Sequence, residues 1–313
     1  MTRSYWYDVR SIVCIFALKP EIIVINKGDK DSLFSCLHGI RCGERLVSLE
    51  RPVIMGILNI TPDSFFDGGT HLLPEDWIAH TSRMLAEGAT FIDIGVVSTR
   101  PGARDMSERT ELEALVPVLE TLTSQYPEVL FSVDTWRARV AEMAISKGAV
   151  MINDISGGRF DPGMIPFIGE AGVPFVVMHT LDRPAVMQVD PIYEDVVAEV
   201  MEYLARQVDA LLKAGATDLL VDPGFGFGKT MGHNYTLLRE LGSFRALGFP
   251  ILAGLSRKSM LYRLLDCQPQ DALNATTAAH MLALVGGASV LRAHDVRQAA
   301  EAIRIFEAWK YGP

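Results

Sequence analysis

Apolar residues in this chain come in short bursts, and almost every burst ends on a polar side chain. Val53–Leu58 runs into Asn59, Val129–Val133 into Asp134, and Val150–Ile152 into Asn153 and Asp154. Phe175–Met178 runs into His179, Leu219–Val221 into Asp222, and Ile251–Leu255 into Ser256, Arg257 and Lys258. Ser289–Leu291 runs into Arg292, Ala293 and His294, and Phe91–Ile94 carries Asp93 within it. Bursts of this length predict buried strands. Between them, residues 75–87, 108–124, 137–147, 162–170, 194–213, 234–247, 271–285 and 296–310 repeat apolar positions at helical spacing. Most of these stretches close on a glycine, such as Gly88, Gly148, Gly172, Gly215 and Gly248, with the next strand a few residues later.

Short apolar strands alternating with helices predict βαβ units and a parallel sheet. Eight units in one chain predict an α/β fold of the closed (β/α)8 TIM-barrel type. An open doubly wound sheet would carry a glycine-rich nucleotide fingerprint after its first strand, and none is there. In a barrel all strand carboxyl ends share one rim, so the polar residues that end the bursts gather at one mouth. Upstream, 33–49 predicts a short hairpin turning near Cys42-Gly43-Glu44. Residues 1–31 fit no unit and read as an N-terminal extension of unknown role, with the barrel domain at 32–313.

Charge narrows the partners. The net charge of −9 argues against nucleic acid, whose phosphate backbone needs a basic face. The four cysteines, Cys14, Cys36, Cys42 and Cys267, have no zinc spacing and read as free thiols in a reducing compartment. Ser11–Leu18 is too short to span a bilayer and lacks a cleavage site, so a cytoplasmic protein without a membrane segment is expected.

The mouth itself has two chemistries. Asn59, Asp134, Asn153 and Asp222 offer amides and carboxylates, which suit a flat heterocycle with amino and amide edges. Arg257, Lys258, Arg292 and His294 end the last two strands, where barrels often bind phosphate. A heterocycle joined to a phosphate or diphosphate would satisfy both sides. The loops 61–69 and 96–103 are either connectors or lids. His179 reads as a supporting residue rather than a base. Gly224-Phe225-Gly226-Phe227-Gly228-Lys229-Thr230 looks like a phosphate loop, but Pro223 stands where a Walker motif needs glycine, and Lys229 where a dinucleotide fingerprint does. Its glycines let the backbone pass close to a flat ring, with Phe227 as an apolar wall.

These motifs resemble a known family. Met55-Gly56-Ile57-Leu58-Asn59-Ile60-Thr61-Pro62-Asp63-Ser64-Phe65 is similar to the first signature of the dihydropteroate synthases, and Ser98-Thr99-Arg100-Pro101-Gly102-Ala103 to the second. Ser132-Val133-Asp134-Thr135, Ile152-Asn153-Asp154, Val177-Met178-His179, Asp222 to Lys229, Ser256-Arg257-Lys258-Ser259 and Arg292-Ala293-His294-Asp295 follow in the family's order. The resemblance implies a transferase of folate biosynthesis and sulfonamide target. It joins (7,8-dihydropterin-6-yl)methyl diphosphate to 4-aminobenzoate with Mg2+, and usually works as a homodimer. It implies that Asp134, Asn153, Met178, Asp222 and Lys258 hold the pterin, and that Asn59, Arg292 and His294 hold the diphosphate, with Asn59 at the metal. Thr99, Arg100, Pro101, Phe227 and Ser256 would form the aminobenzoate side.

On this reading the leaving diphosphate is stabilised by cations, and the carboxylates of Asp134 and Asp222 steady an electron-poor pterin methylene along a dissociative path. Two features keep rivals open. A pterin-dependent methyltransferase domain shares the barrel, but has no diphosphate to hold. The family's usual Gly-Glu after Gly95 is Val96-Val97 here, which suggests a non-catalytic pterin-binding paralogue or a second loop that closes differently, because a β-branched residue resists the positive φ that glycine allows.

Overall fold

The computed structural model describes residues 39–60, 73–97 and 106–312. The extension at 1–31, Cys14, Cys36, the loop 61–69 and the triplet Thr99, Arg100 and Pro101 lie outside these residues. The expected hairpin is present. Strands β1 (Gly39–Cys42) and β2 (Arg45–Ser48) pair antiparallel, with Cys42 opposite Arg45 across the turn.

Eight parallel strands follow: β3 (Val53–Asn59), β4 (Phe91–Gly95), β5 (Leu130–Asp134), β6 (Met151–Asp154), β7 (Phe175–Met178), β8 (Leu219–Asp222), β9 (Ile251–Ala253) and β10 (Ala288–Ala293). They pair in chain order, and β10 returns to β3 to close the barrel. The helices are α1 (Pro74–Ala86), α2 (Glu108–Gln125), α3 (Ala138–Ser146), α4 (Met164–Ala171), α5 (Val196–Ala214), α6 (Met231–Arg239), α7 (Ser259–Tyr262), α8 (Leu273–Val285) and α9 (Val296–Tyr311).

Three stretches depart from the sequence pattern, one of them the four-residue α7, too short to show a helical repeat. The segment read as one helix over 234–247 starts earlier, because the Thr230 hydroxyl accepts from the His233 amide at 3.1 Å and caps α6. It then breaks into a 3-10 helix, Leu241–Leu247, where Gly242 weakens helical propensity. Strand β9 ends at Ala253 rather than Leu255, and the chain then turns through Arg257, whose φ is 53°.

The alternation of side chains along a strand explains where the site sits. Met55, Phe91, Leu130, Met151, Val176, Leu220, Leu252 and Val290, one from each strand, fill the barrel floor together with Ile40, Cys42 and Leu49 from the hairpin region. The hairpin is tied there by Arg41 N–H donating to Asp218 Oδ1 at 2.7 Å and by Arg45 Nη1 donating to the Glu128 carbonyl at 2.6 Å. Two residues further along each strand, the period-two rule places Ile57, Asp93, Ser132, Asn153, Met178, Asp222, Gly254 and Arg292 in the next inward layer. The floor is apolar and this second layer is mostly polar, so chemistry is confined to the carboxyl-end mouth. Outside the strands, the helices supply an apolar layer. Val200, Leu204, Val208 and Leu211 form the buried stripe of α5, which Gly215 ends at φ 104°.

Candidate active site

Asp134, Asn153, Met178, Asp222 and Lys258, the five residues that the resemblance gives to a pterin, line one cleft at the barrel mouth. Phe225, Phe227, Ile155, Gly254 and Arg292 complete its wall. Each strand delivers its residue by the same register: Asp134 closes β5, Asn153 lies beside it on β6, and Asp222 lies beside Met178 across β8 and β7.

One hydrogen-bond network spans the cleft base. Arg292 Nε donates to Asp93 Oδ2 at 2.7 Å, and its Nη2 donates to Asp134 Oδ2 at 2.8 Å. Asn153 Nδ2 donates to the same Asp93 oxygen at 2.9 Å. Asp134 is steadied from behind, where buried Glu111 of α2 accepts from Thr135 Oγ1 at 2.6 Å and pairs with Arg137. Among the described residues, Asp134 Oδ1 is buried with no hydrogen-bond partner. Across the cleft, Gly224 N–H donates to Asp222 Oδ1 at 2.7 Å, and Lys258 Nζ lies 4.2 Å from the centre of the Phe227 ring.

The basic residues separate into two groups. Arg257, read with Lys258 as part of an anion site, instead makes a bidentate pair with Asp295 at 2.7 and 2.8 Å and donates to the Gln270 carbonyl. It fastens the end of β9 to the start of α9, which offsets the cost of its left-handed backbone. Ser256 Oγ accepts from the His294 amide at 3.2 Å and meets its Nδ1 at 3.1 Å, so the serine hydroxyl is engaged with the β10 end. Asn59 ends β3 at the same rim. Asp154 faces away from this chemistry; its carboxylate accepts from Ser156 and Gly158 and shapes the loop after β6.

The profile of the pterin binding enzyme family matches residues 55–294. Dihydropteroate synthase of Escherichia coli K12 is 43% identical over 264 residues, covering 84% of this chain and 93% of that protein. A crystal structure of the Yersinia pestis dihydropteroate synthase with a sulfonamide drug superposes with a TM-score of 0.83 at 40% identity, covering 87% of this chain and 99% of that one. The Xanthomonas albilineans dihydropteroate synthase with 4-aminobenzoic acid gives a TM-score of 0.81 at 42% identity, covering 88% and 99%. The chain belongs to the dihydropteroate synthase family.

Within that family site, burial sets the protonation states. It pushes the Asp134 carboxyl up to about 7, against the pull of Arg292, and raises Asp222 as well. It pulls Lys258 down to about 8, helped by Arg292 and opposed by Asp222 and Asp134. Burial and the nearby Arg292 hold His294 neutral, down to about 3. The resemblance gives the pterin to the Asp134 carboxylate and the Lys258 ammonium together, and that assignment sets an expectation for pH. Activity is therefore expected to fall as pH drops through about 7, where Asp134 takes its proton, and to fall again as pH rises through about 8, where Lys258 loses its own. In a kcat/KM profile, Lys258→Arg should move the alkaline limb upward, because guanidinium stays charged; an unmoved limb would exclude Lys258 as its source.

The valine pair that replaces the family's Gly-Glu is accommodated. Val96 and Val97 are buried at 2% and 8% exposure and neither adopts positive φ, while the second loop, expected to close differently, lies outside the described residues. His179 is packed edge-on against Tyr203 at 4.8 Å and its Nδ1 meets Lys229 Nζ at 2.9 Å, as a supporting residue would.

Asp93 is the member of the network that the sequence reading left without a role. It sits inside an apolar burst, and only the inward step of two residues from Phe91 marks it. Asp93→Asn should lower kcat/KM by about a hundredfold, because one substitution weakens charged hydrogen bonds to Arg292 and Asn153 together. Steady-state kinetics on the folded variant tests this, and wild-type values would show that Asp93 does not orient the pair.

Proposed function

We infer that the enzyme is a dihydropteroate synthase. It condenses (7,8-dihydropterin-6-yl)methyl diphosphate with 4-aminobenzoate to give 7,8-dihydropteroate and diphosphate, a step of folate biosynthesis. The observation that carries this reading is the cleft that joins Asp134, Asn153, Asp222 and Lys258 around Met178, with Asp134 Oδ1 left without a partner. Carboxylate and amide oxygens there suit the amino and ring N–H donors of a pterin, and the flat apolar sides of Met178 and Ile155 suit its faces. Asp134 and Asp222 line the same cleft, and their carboxylates would stabilise positive charge on the ring as its methylene loses diphosphate. Arg292, which lines the cleft, and the neutral imidazole of His294 just beyond it would hold the departing group, and Phe227 would wall the side taken by 4-aminobenzoate. A methyl carrier would have no use for cations at this rim, which disfavours the methyltransferase reading.

Mg2+ fits the residues present. Mg2+ is commonly held by one or two protein oxygens plus substrate phosphates and water, and Asn59 at the carboxyl end of β3 offers such an oxygen. Asn59 Oδ1 would supply the protein oxygen. When bound, the ion would neutralise charge on the diphosphate. Each remaining task falls to side chains of the barrel mouth: orientation of the pterin by Asp134, Asn153 and Asp222, and exclusion of water by Met178 and Phe227.

We place the enzyme in the cytoplasm as a homodimer that sulfonamides inhibit. No helix among the described residues is long and apolar enough to cross a membrane, and Leu282, Val285, Ile305 and Trp309 on α8 and α9 are exposed apolar side chains suited to a second copy. The deciding experiment is diphosphate release from the pterin diphosphate, measured with and without 4-aminobenzoate and with Mg2+ or EDTA. Release that requires both aminobenzoate and Mg2+ is expected. Release without aminobenzoate, or none under any condition, would refute the synthase reading.

A further inference from the structure

The loop between β8 and α6 forms the Phe227 wall, yet it has no strand partner of its own. Gly224, Gly226 and Gly228 take φ of 72°, 81° and 63°, which turns successive carbonyls away from the sheet. Each of these carbonyls is met by a side chain. Lys229 Nζ donates to Gly224 O at 2.9 Å and Phe227 O at 3.0 Å, Gln188 Nε2 donates to Gly226 O at 2.6 Å, and Tyr193 OH donates to Gly228 O at 2.8 Å. Gln188 and Tyr193 belong to the long connection between β7 and α5, which packs so tightly here that a Cβ on Gly228 would lie 2.3 Å from Leu181 Cβ. None of the three donors lines the cleft.

We propose that Gln188, Tyr193 and Lys229 are positioning residues for the second substrate: they set the Phe227 ring, and through it the affinity for 4-aminobenzoate. The proposal rests on the synthase reading above. Its physical basis is that backbone carbonyls withdrawn from water need partners, fully for those that Lys229 meets and in part for those that Gln188 and Tyr193 meet, so the loop adopts the shape in which these donors reach them. A shift of Phe227 would alter the aminobenzoate side first, because Asp134, Asn153 and Met178 hang on other strands and Asp222 is held by Gly224 at the start of the loop, away from the Gln188 and Tyr193 contacts; Lys258, over Phe227, is the one pterin-side residue the ring touches. Lys229 is also tied to His179 Nδ1, which couples the loop to the end of β7.

The test uses the full chain carrying Tyr193→Phe or Gln188→Ala. Phenylalanine retains the ring that packs on His233 at 5.0 Å and removes only the hydroxyl donor. Each variant should raise the KM for 4-aminobenzoate about fivefold, the effect of one hydrogen bond, with kcat and the KM for the pterin diphosphate within about twofold of wild type. Thermal melts identify a variant that fails to fold; should Gln188→Ala do so, Tyr193→Phe decides alone. An unchanged aminobenzoate KM, or equal rises in both KM values, overturns the proposal. A wild type without aminobenzoate-dependent diphosphate release would instead refute the activity beneath it.

Discussion

Asp134→Ala is expected to lower kcat/KM by about a thousandfold, equivalent to ~4 kcal/mol, while the chain stays folded. The size follows from what the residue does. Its carboxylate is buried at the top of β5, shares Arg292 through Oδ2, and presents Oδ1 without a partner. Alanine removes the acceptor for the pterin edge and the charge that offsets a developing cation, and it leaves the buried Arg292 with one carboxylate partner fewer. The chain should stay folded, because Arg292 keeps its hydrogen bond to Asp93 and burial already disfavours the Asp134 carboxylate. Asp134→Asn separates the two roles. The amide oxygen can still accept, so pterin affinity should weaken about tenfold, while turnover, which needs the charge, drops further. Pterin titration alongside steady-state turnover makes the comparison. Wild-type turnover and affinity in Asp134→Ala would sink the assignment of the cleft.

Gly224→Ala should destabilise the protein by about 3 kcal/mol or more and also abolish turnover. The residue sits at φ 72°, and an added Cβ would lie 1.9 Å from the His179 carbonyl oxygen and 2.9 Å from its carbon. Both are backbone atoms at the end of β7, so no side chain can swing away. The loop would have to move, and with it the Gly224 N–H that holds Asp222 Oδ1 at 2.7 Å. Gly248→Ala provides the control. It has a similar φ of 80° but nothing within 4 Å of its Cβ, so it should cost only about 1 kcal/mol. Urea unfolding of both variants measures the difference, and equal midpoints would mean that the loop gives way without effect.

Much of the fold was legible because its signals are local. The apolar bursts are strands, the helical spacing marks every helix but the short α7 within a few residues for most, and the hairpin turns where Gly43 permits. The mouth was legible for a related reason. Parallel strands all point the same way, so residues that follow each burst, Asn59, Asp134, Asn153 and Asp222 among them, must share a rim.

The pairing of charges was not legible in this way. Arg257 and Lys258 are adjacent in sequence, yet one turns at φ 53° to clasp Asp295 and the other lies over Phe227 at the cleft. Asp93 looked like an interruption in a buried strand, and its partner Arg292 is 199 residues away. The linear pattern determined which residues become strands and helices, and which of them arrive at the mouth, because backbone periodicity acts over a few residues. Only the closed barrel decided which carboxylate meets which cation. In a buried site, electrostatic energy depends on separation in space and on the exclusion of water, and neither exists until β10 has closed against β3.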